Sequence, residues 1–253
     1  MSKIEVVYGW HAVKAIIKHN PQNVKKIYIA QERLEQYNEV LKWAQQFKVL
    51  TEVAAGKVLA NTFPEVLHQG ILLEVYADNY IANESDLNKI LESLNKPCLI
   101  LILDSITDPQ NLGACLRTAD AAGVDCIITN KDRSASITPV VRKVASGAVE
   151  TVPVIKVTNL ARTIEFLKAS GIWVYGAAAE ARQSIYTLDA RGPVAIVMGS
   201  EGSGLRRLTK EKCDGLFSIP MLGAVESLNV SAATAVSLYE IVRQRLDANK
   251  IMK

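Results

Sequence analysis

From residue 98 to the end of the chain, short apolar runs alternate with stretches of helical spacing. A long final helix is predicted from about residue 229 to residue 246. Strands that alternate with helices form a parallel sheet with crossover helices. The sequence therefore predicts an α/β fold with a parallel sheet for residues 98–253. Its predicted strands are 98–104, 124–129, 152–156, 172–178, 194–199 and 215–219.

Residues 1–77 predict a second, smaller α/β unit. Helical spacing covers 8–19 and 34–47, and strand-like runs cover 26–30 and 70–75. The stretch that follows is polar and acidic, as is common at a domain boundary, and it contains a helix-start signal. We predict three parts: a domain at 1–77, a linker with a short helix at 78–97, and a domain at 98–253.

Composition excludes several kinds of site and protein. The four cysteines include no Cys-x-x-Cys pair, so no metal is expected. Nothing indicates a disulfide framework, and the first residues lack an apolar signal core, so we expect a cytoplasmic protein. The longest apolar run, 98–103, has only the length of a strand, which predicts no membrane span.

Two loops rich in Gly, Ser and Asn follow predicted strands, at 199–205 and 219–231. Open α/β sheets bind ligands in such loops, at the carboxyl ends of their strands. The first loop carries one acid, Glu201, and neither loop contains His or Cys. All three histidines lie within 1–77, which argues against Ser-His-Asp and Cys-His hydrolases. The inventory indicates chemistry that depends on positioning.

Two polar residues, Asn111 and Arg117, lie on the helix predicted after the first strand of this domain. Asp108 and Pro109 fit an N-cap followed by proline, and the Gly-x-Gly-x-x-Gly nucleotide fingerprint is absent. Arg117 follows small apolar residues, where a guanidinium needs a partner. We predict a buried ion pair between Arg117 and Glu201.

Ser227 and Asn229 precede the final helix, where N-capping alone would explain either residue. Arg117 could likewise be a surface cation, and Asn111 a turn residue. Their shared position at strand ends or helix starts instead indicates one site. Its predicted catalytic residues are Asn111, Arg117, Glu201, Ser227 and Asn229.

These residues resemble three ordered motifs of the SpoU (TrmH-like) family of RNA ribose 2′-O-methyltransferases. The first motif is similar to 111–117, the second to 196–205, and the third to 219–231. Residues 8–13 resemble the start of a ribosomal-protein-like substrate-binding domain found in some members. That architecture is closest to members that methylate a guanosine ribose in 23S rRNA.

The resemblance implies a deep trefoil knot at the C-terminal end of the α/β domain. It also implies S-adenosylmethionine as cofactor, bound largely through the backbone by Gly199, Ile219 and Leu228. Family members are homodimers whose site draws on both subunits. Arg117 matches the residue usually assigned to activating the ribose 2′-hydroxyl. Since a guanidinium is a poor base, we expect Arg117 to hold a phosphate and orient that hydroxyl. Glu201 would orient Arg117, and Ser227 would cap the helix or contact the ligand.

Three functions remain open at this point. The first is 2′-O-methylation of 23S rRNA, the second is a tRNA or resistance-type methyltransferase, and the third is a non-catalytic RNA-binding assembly factor. A binding module does not require all five predicted catalytic residues, which favours an enzyme. We expect the α/β domain to dimerise through the knot region and the final helix, whose small apolar face carries Ala232, Ala233, Ala235 and Val236.

The first domain is expected to select the RNA, although a solvated helix face with core aromatics is an equal alternative. The residues predicted to contact RNA are Lys14, Lys18, Lys25, Lys26, Arg33, Trp10 and Tyr28.

Overall fold

A computed structural model describes residues 4–64, 66, 68–76 and 81–251, without the side chains of 81–83 and 249–251. The strands are β1 (Ile4–Tyr8), β2 (Val24–Ala30), β3 (Thr51–Ala54), β4 (Ile71–Tyr76), β5 (Ile81–Asn83), β6 (Leu99–Asp104), β7 (Cys126–Asn130), β8 (Val154–Val157), β9 (Trp173–Ala177), β10 (Gln183–Ser184), β11 (Val194–Gly199) and β12 (Gly215–Ser218). The helices are α1 (Trp10–His19), α2 (Asn38–Gln46), α3 (Gly56–Thr62), α4 (Asp86–Glu92), α5 (Pro109–Ala121), α6 (Pro139–Ala145), α7 (Leu160–Ala169), α8 (Arg207–Lys212) and α9 (Val230–Ile251).

The chain divides into two compact units. The first contains Met1–Tyr80 and Ile137–Thr151, and the second contains Ile81–Ser136 and Val152–Lys253. The predicted linker at 78–97 includes β5 and α4, and both of these elements belong to the second unit. The predicted short helix is therefore present as α4.

The first unit has a four-stranded mixed sheet in the order β1-β4-β2-β3. Strands β1 and β2 pair antiparallel with β4, and β3 pairs parallel with β2. Helix α1 buries Val13, Ile16 and Ile17 on one face, as their spacing predicts. Strands β1 and β3 were not predicted, because both are edge strands and expose much of their side-chain surface.

A segment from the middle of the chain, 137–151, completes the first unit. It comprises α6 and a 3-10 turn at Ala148–Glu150. Arg142 and Glu150 form a buried ion pair, and Glu5 lies 4.0 Å from Arg142. The Asn20 side chain donates a hydrogen bond of 3.0 Å to the Glu150 carbonyl oxygen. The prediction that all residues after 98 form one domain therefore differs from these compact units. Contacts with distant parts of the chain assign 137–151 to the first unit, and the spacing of apolar residues in the sequence does not reveal such contacts.

The second unit is built on an eight-stranded parallel sheet in the order β10-β12-β9-β11-β6-β7-β8-β5. All six predicted strands are present, with ends that differ by at most two residues, and the predicted α/β fold with a parallel-sheet core is confirmed. The unpredicted strands β5 and β10 are short and lie at the two edges. In the described part of the chain, no helix combines the length and apolar character required to cross a membrane.

The end of β11 makes a close backbone approach that only glycine permits. Gly199 pairs with Asp104 at the end of β6, while Gly204 and Leu205 pass directly over it. A Cβ at Gly199 would lie 2.2 Å from the Gly204 carbonyl carbon and 2.4 Å from the Leu205 nitrogen. Since both neighbours are backbone atoms, a side chain would require the chain itself to move.

We expect Gly199→Ala to lower the free energy of unfolding by about 1–3 kcal/mol, the usual cost of overpacking. Urea denaturation measures the change. Gly192→Ala is the matched control, because no atom lies within 4 Å of its added Cβ. Equal midpoints for the two variants would contradict this account of Gly199.

The buried pair in the first unit predicts a pH-dependent stability. Burial raises the pKa of Glu150 to about 7, against the opposing effect of Arg142. The folded state therefore binds this proton more tightly than the unfolded chain does. This contribution is present below about pH 4.3, the ordinary pKa of a glutamate, and is lost as the pH rises through 7. Its slope cannot exceed about 1.4 kcal/mol per pH unit.

We expect Glu150→Gln to flatten this dependence between pH 5 and pH 8. Urea unfolding followed by tryptophan fluorescence measures it in a Trp173→Phe background, which leaves Trp10 and Trp43 of the first unit as reporters. The same loss of stability with rising pH in both proteins would contradict the role of Glu150.

Candidate active site

A cavity of about 950 Å³ lies at the carboxyl ends of β9, β11 and β12 in the second unit. Its walls come mainly from the loops at 177–180, 198–205 and 223–230. Six predicted site residues line it: Gly199, Glu201, Ile219, Ser227, Leu228 and Asn229. Asn111 and Arg117 are not among the lining residues. The sequence thus located the cavity correctly at the carboxyl ends of parallel strands.

The loop after β11 is closed on itself by short hydrogen bonds. The Gly204 amide donates to the Ser200 carbonyl at 2.9 Å, and the Ser200 amide donates to the Gly204 carbonyl at 3.2 Å. The hydroxyls of Ser200 and Ser203 lie 2.6 Å apart. Gly202 and Gly204 have φ angles of 83° and 63°, which favour glycine. This closed loop presents Glu201 at its tip.

The Asn229 side chain joins three elements of the site. Its Nδ2 donates to Asn111 Oδ1 at 3.0 Å and to Glu201 Oε1 at 2.5 Å. Its Oδ1 accepts from the Ser231 amide at 2.9 Å and from the Ser231 hydroxyl at 2.6 Å. Asn229 is therefore the N-cap of α9 and also fixes the start of α5 and the loop after β11.

The predicted Arg117–Glu201 ion pair is wrong. Glu201 bonds to Asn229, and Arg117 is exposed with no hydrogen bond or ion pair to any residue that the structure describes. Arg117 lies six residues beyond Asn111 on α5. At 3.6 residues per turn, its side chain points about 120° away from Asn111, and it sits about 9 Å farther along the axis. The expected role of Glu201 in orienting Arg117 stays a prediction, and within one chain Glu201 instead bonds to Asn229.

Ser227 is exposed at the rim of the cavity. The predicted capping of the final helix is performed by Asn229, two residues closer to that helix. Asp108 does cap α5 as predicted, since its Oδ1 accepts from the Gln110 amide at 3.0 Å.

Asp104 is a buried acid next to the site that the sequence analysis did not single out. Its carboxylate accepts from Arg206 Nε at 2.6 Å and from the Arg206 amide at 3.2 Å. The Ser105 hydroxyl lies 3.1 Å from the same carboxylate. Asp104 pairs with Gly199 across the sheet, so it holds both ends of the loop after β11. The available signal was an acid that directly follows an apolar run of strand length.

The described residues around the site include no cluster that could hold a metal ion and no cysteine with a lowered pKa. No cluster of His, Cys, Asp and Glu with the geometry of a metal site occurs within the described ranges. Cys115 packs beside Thr234 between α5 and α9, and burial raises the pKa of its thiol to about 11. A thiol with such a pKa is protonated at neutral pH and is a weak nucleophile. The site therefore offers backbone groups, amides, hydroxyls, the carboxylates of Glu180, Glu201 and Glu226, and the Lys210 ammonium.

Several residues predicted to contact RNA in the first unit are already engaged. Lys14 pairs with Glu39 at 3.0 Å, Lys25 with Glu74 at 3.0 Å, and Lys26 with Glu52 at 2.5 Å.

The two aromatic residues are engaged as well. Tyr28 is buried and packs edge-on against Phe63, so its proposed stacking on RNA is wrong. Trp10 stacks on Tyr37 with ring centres 5.3 Å apart. Lys18 is exposed with no partner among the described residues, while Arg33 donates a hydrogen bond to Gln36 at 2.9 Å.

Two family models match this chain. The SpoU rRNA Methylase family matches residues 98–239, and a domain described as RNA 2′-O ribose methyltransferase substrate binding matches residues 6–81. The first match contains the cavity and every predicted site residue.

Relatives of known function cover almost the whole chain. A 23S rRNA (guanosine-2′-O-)-methyltransferase RlmB from Pseudomonas putida is 50% identical over 246 residues, which are 97% of this chain and 98% of the relative. The protein of the same description from Yersinia pestis is 47% identical over 242 residues, 95% of this chain and 98% of its own.

A solved structure shows the same fold. The SpoU methyltransferase AviRb from Streptomyces viridochromogenes, in complex with AdoMet, superposes with a TM-score of 0.80 at 23% identity, over 96% of this chain and 91% of that one. The resemblance carried by the three motifs is confirmed: the chain belongs to the SpoU rRNA methylase family.

Proposed function

We propose that this protein transfers a methyl group from S-adenosylmethionine to the ribose 2′-hydroxyl of a guanosine in 23S rRNA. The observation that carries the proposal is the hydrogen-bonded set of Asn111, Glu201 and Asn229 at the cavity. These three residues come from three separate motifs and meet only in the fold. Relatives that match along almost their full length carry this activity in their names. Because rRNA would be its substrate, we also propose that the protein acts in the cytoplasm.

The cavity fits S-adenosylmethionine in size and chemistry. Its volume of about 950 Å³ lies within the range of cofactor sites. Gly199, Ile219 and Leu228 line it, and a glycine leaves backbone groups open to a ligand. The cofactor supplies an activated methyl group, so no metal is required. What remains for the protein is to hold the two reactants in line.

Arg117 acts as a positioning group in the proposed mechanism. A guanidinium stays protonated under physiological conditions, so it cannot accept the 2′-hydroxyl proton. It can bind a neighbouring phosphate through two parallel hydrogen bonds and thereby fix the ribose. A phosphate oxygen or a water molecule then takes the proton. Asn229 and Glu201 hold the loop and helix ends that face the reacting groups.

The position of Arg117 supports a homodimeric site. The Arg117 side chain points away from Asn111 of its own subunit and is exposed. We therefore propose that it contributes to the active site of the second subunit. In the loop before α9, Leu222 and Val225 are 98% and 64% exposed. Such exposure of large apolar side chains is expected for a surface that a second subunit covers. The predicted face of α9 is only partly open: Ala232 is exposed, while Ala233, Ala235 and Val236 are half-buried.

We also infer a trefoil knot in the second unit. After β12 the chain returns past the closed loop that follows β11, and α9 then packs against α5. This return path brings 223–230 and 198–205 to the same cavity. The inference extends the family resemblance to this chain.

The direct test is methylation of RNA by the purified protein with labelled S-adenosylmethionine and excess chelator. We expect labelling of 23S rRNA at one guanosine ribose, and none of tRNA. Mapping the labelled nucleotide identifies the target. Labelling of tRNA alone would favour the tRNA class, and no labelling of either RNA would favour a non-catalytic binding protein. Labelling that occurs without chelator but is lost when chelator is added would contradict the metal-free mechanism.

A shared site predicts complementation between two inactive variants. Arg117→Ala and Asn229→Ala should each lower kcat by about 10²-fold or more, because both residues position reactants. Co-expressed with different tags and purified as a heterodimer, the two should recover about half of the wild-type activity. One of the two sites then has both residues intact. No recovery would place Arg117 in the site of its own subunit.

A further inference from the structure

Two residues that follow neighbouring strands of the second sheet, at their carboxyl ends, have an unusual backbone conformation. Of the described residues other than glycine, five have positive φ. Lys48 and Ser146 lie just after helices, where this conformation is common, and Gln69 lies in the turn before β4. The remaining two are Ser105, with φ of 64° after β6, and Arg133, with φ of 61° after β7.

The loop that carries Arg133 is fixed to its neighbours. The Ser105 amide donates to Asn130 Oδ1 at 3.0 Å, and the Ala135 amide donates to the Ile106 carbonyl at 2.8 Å. The Lys131 amide donates to the Val157 carbonyl at 2.8 Å. Arg133 therefore occupies a defined position, and its backbone strain is not a consequence of a loose loop.

This position is close to the cavity. Strand β7 pairs with β6, and β6 pairs with β11, whose end is Gly199. Two strand spacings separate the ends of β7 and β11, a distance of about 10 Å. The loop after β7 therefore begins about 10 Å from the end of β11, on the β6 side of the site, at a distance suited to nucleotides next to the one that reacts. None of residues 131–136 lines the cavity itself.

The charges of this loop are unpaired. Lys131 and Arg133 are exposed, and neither makes a hydrogen bond or ion pair through its side chain with any described residue. Asp132 lies exposed between them and pairs with neither. In the first unit, Lys14, Lys25 and Lys26 each face a carboxylate, whereas Lys18 has no partner among the described residues. The left-handed backbone at Arg133 favours glycine, and no hydrogen bond or ion pair of its side chain with a described residue offsets that cost.

We infer that the loop at 131–136 binds the phosphate backbone of the substrate RNA beside the target nucleotide, with Arg133 as the principal contact. Arginine suits this role because its planar guanidinium can donate two parallel hydrogen bonds to the oxygens of one phosphate. Lys131 adds a second positive charge. The inference rests on the proposed function and assigns part of RNA binding to the catalytic unit. Such contacts position RNA without reading its sequence.

The test replaces Arg133 with the residue that its backbone favours. We expect Arg133→Gly to melt at the same or a higher temperature than the wild type and to bind S-adenosylmethionine equally well in calorimetry. The slope of log Kd against log salt, measured with the 23S rRNA fragment that the wild type methylates, should fall by about 0.7–1. Arg133→Lys should keep the slope, because it keeps the charge.

Arg191→Gln is the matched control. It also removes one exposed positive charge from the second unit, but at the amino-terminal edge of the sheet, before β11, where Arg191 pairs with Asp189. Its slope should equal that of the wild type.

An unchanged slope in Arg133→Gly, in a wild type that methylates the RNA, would overturn the inference and leave the proposed function intact. A lower melting temperature together with weaker binding would overturn it too, by showing a structural role. A wild type that neither binds nor methylates rRNA would overturn both.

Discussion

The side-chain amide of Asn229 is the contact on which the geometry of the site depends. It caps α9, donates to Asn111 at the start of α5, and donates to Glu201 at the tip of the loop after β11. One side chain thus sets the relative position of three segments that are remote in sequence. An amide can do this because it offers donors and an acceptor at once, whereas a carboxylate or a hydroxyl of similar size cannot supply two donors.

The rest of the site follows from close backbone approach rather than from reactive side chains. Gly199 allows the loop after β11 to fold back over its own strand, and Asp104 anchors that loop through Arg206. Cys115 is held as a protonated thiol by burial. A site built in this way suits the transfer of an already activated group, for which the enzyme contributes alignment and charge rather than a strong base.

Ion pairs and close packing bind the segment 137–151 into the first unit. Lys14, Lys25 and Lys26 each pair with a carboxylate, and the deeply buried pair of Arg142 with Glu150 lies within the segment 137–151. Gly147 of that segment is also in close contact with this unit, since an added Cβ would lie 2.7 Å from the Ala15 Cβ. A chain cut near residue 97 would therefore leave Arg142 and Gly147 without the surface that buries them. Such a truncation tests the integrity of the first unit as much as its role in RNA selection.

The sequence by itself determined the parallel α/β fold, the cavity at the ends of its strands and the family. Buried strands and glycine-rich loops are local patterns, and the three motifs are contiguous. The six predicted strands of the second unit are rich in buried apolar residues. Strands β1 and β3 were missed because they are short edge strands whose side chains are mostly exposed or half-buried.

Only the tertiary structure decided which polar residues meet. Arg117 and Glu201 were predicted to pair because Arg117 lies on an apolar helix and a pair would satisfy both charges. The helical rotation along α5 instead turns Arg117 outward, and Glu201 accepts a hydrogen bond from Asn229. The inclusion of 137–151 in the first unit and the strained position of Arg133 were equally invisible. Each depends on contacts between segments far apart in the chain, and such contacts cannot be predicted from the spacing of residues.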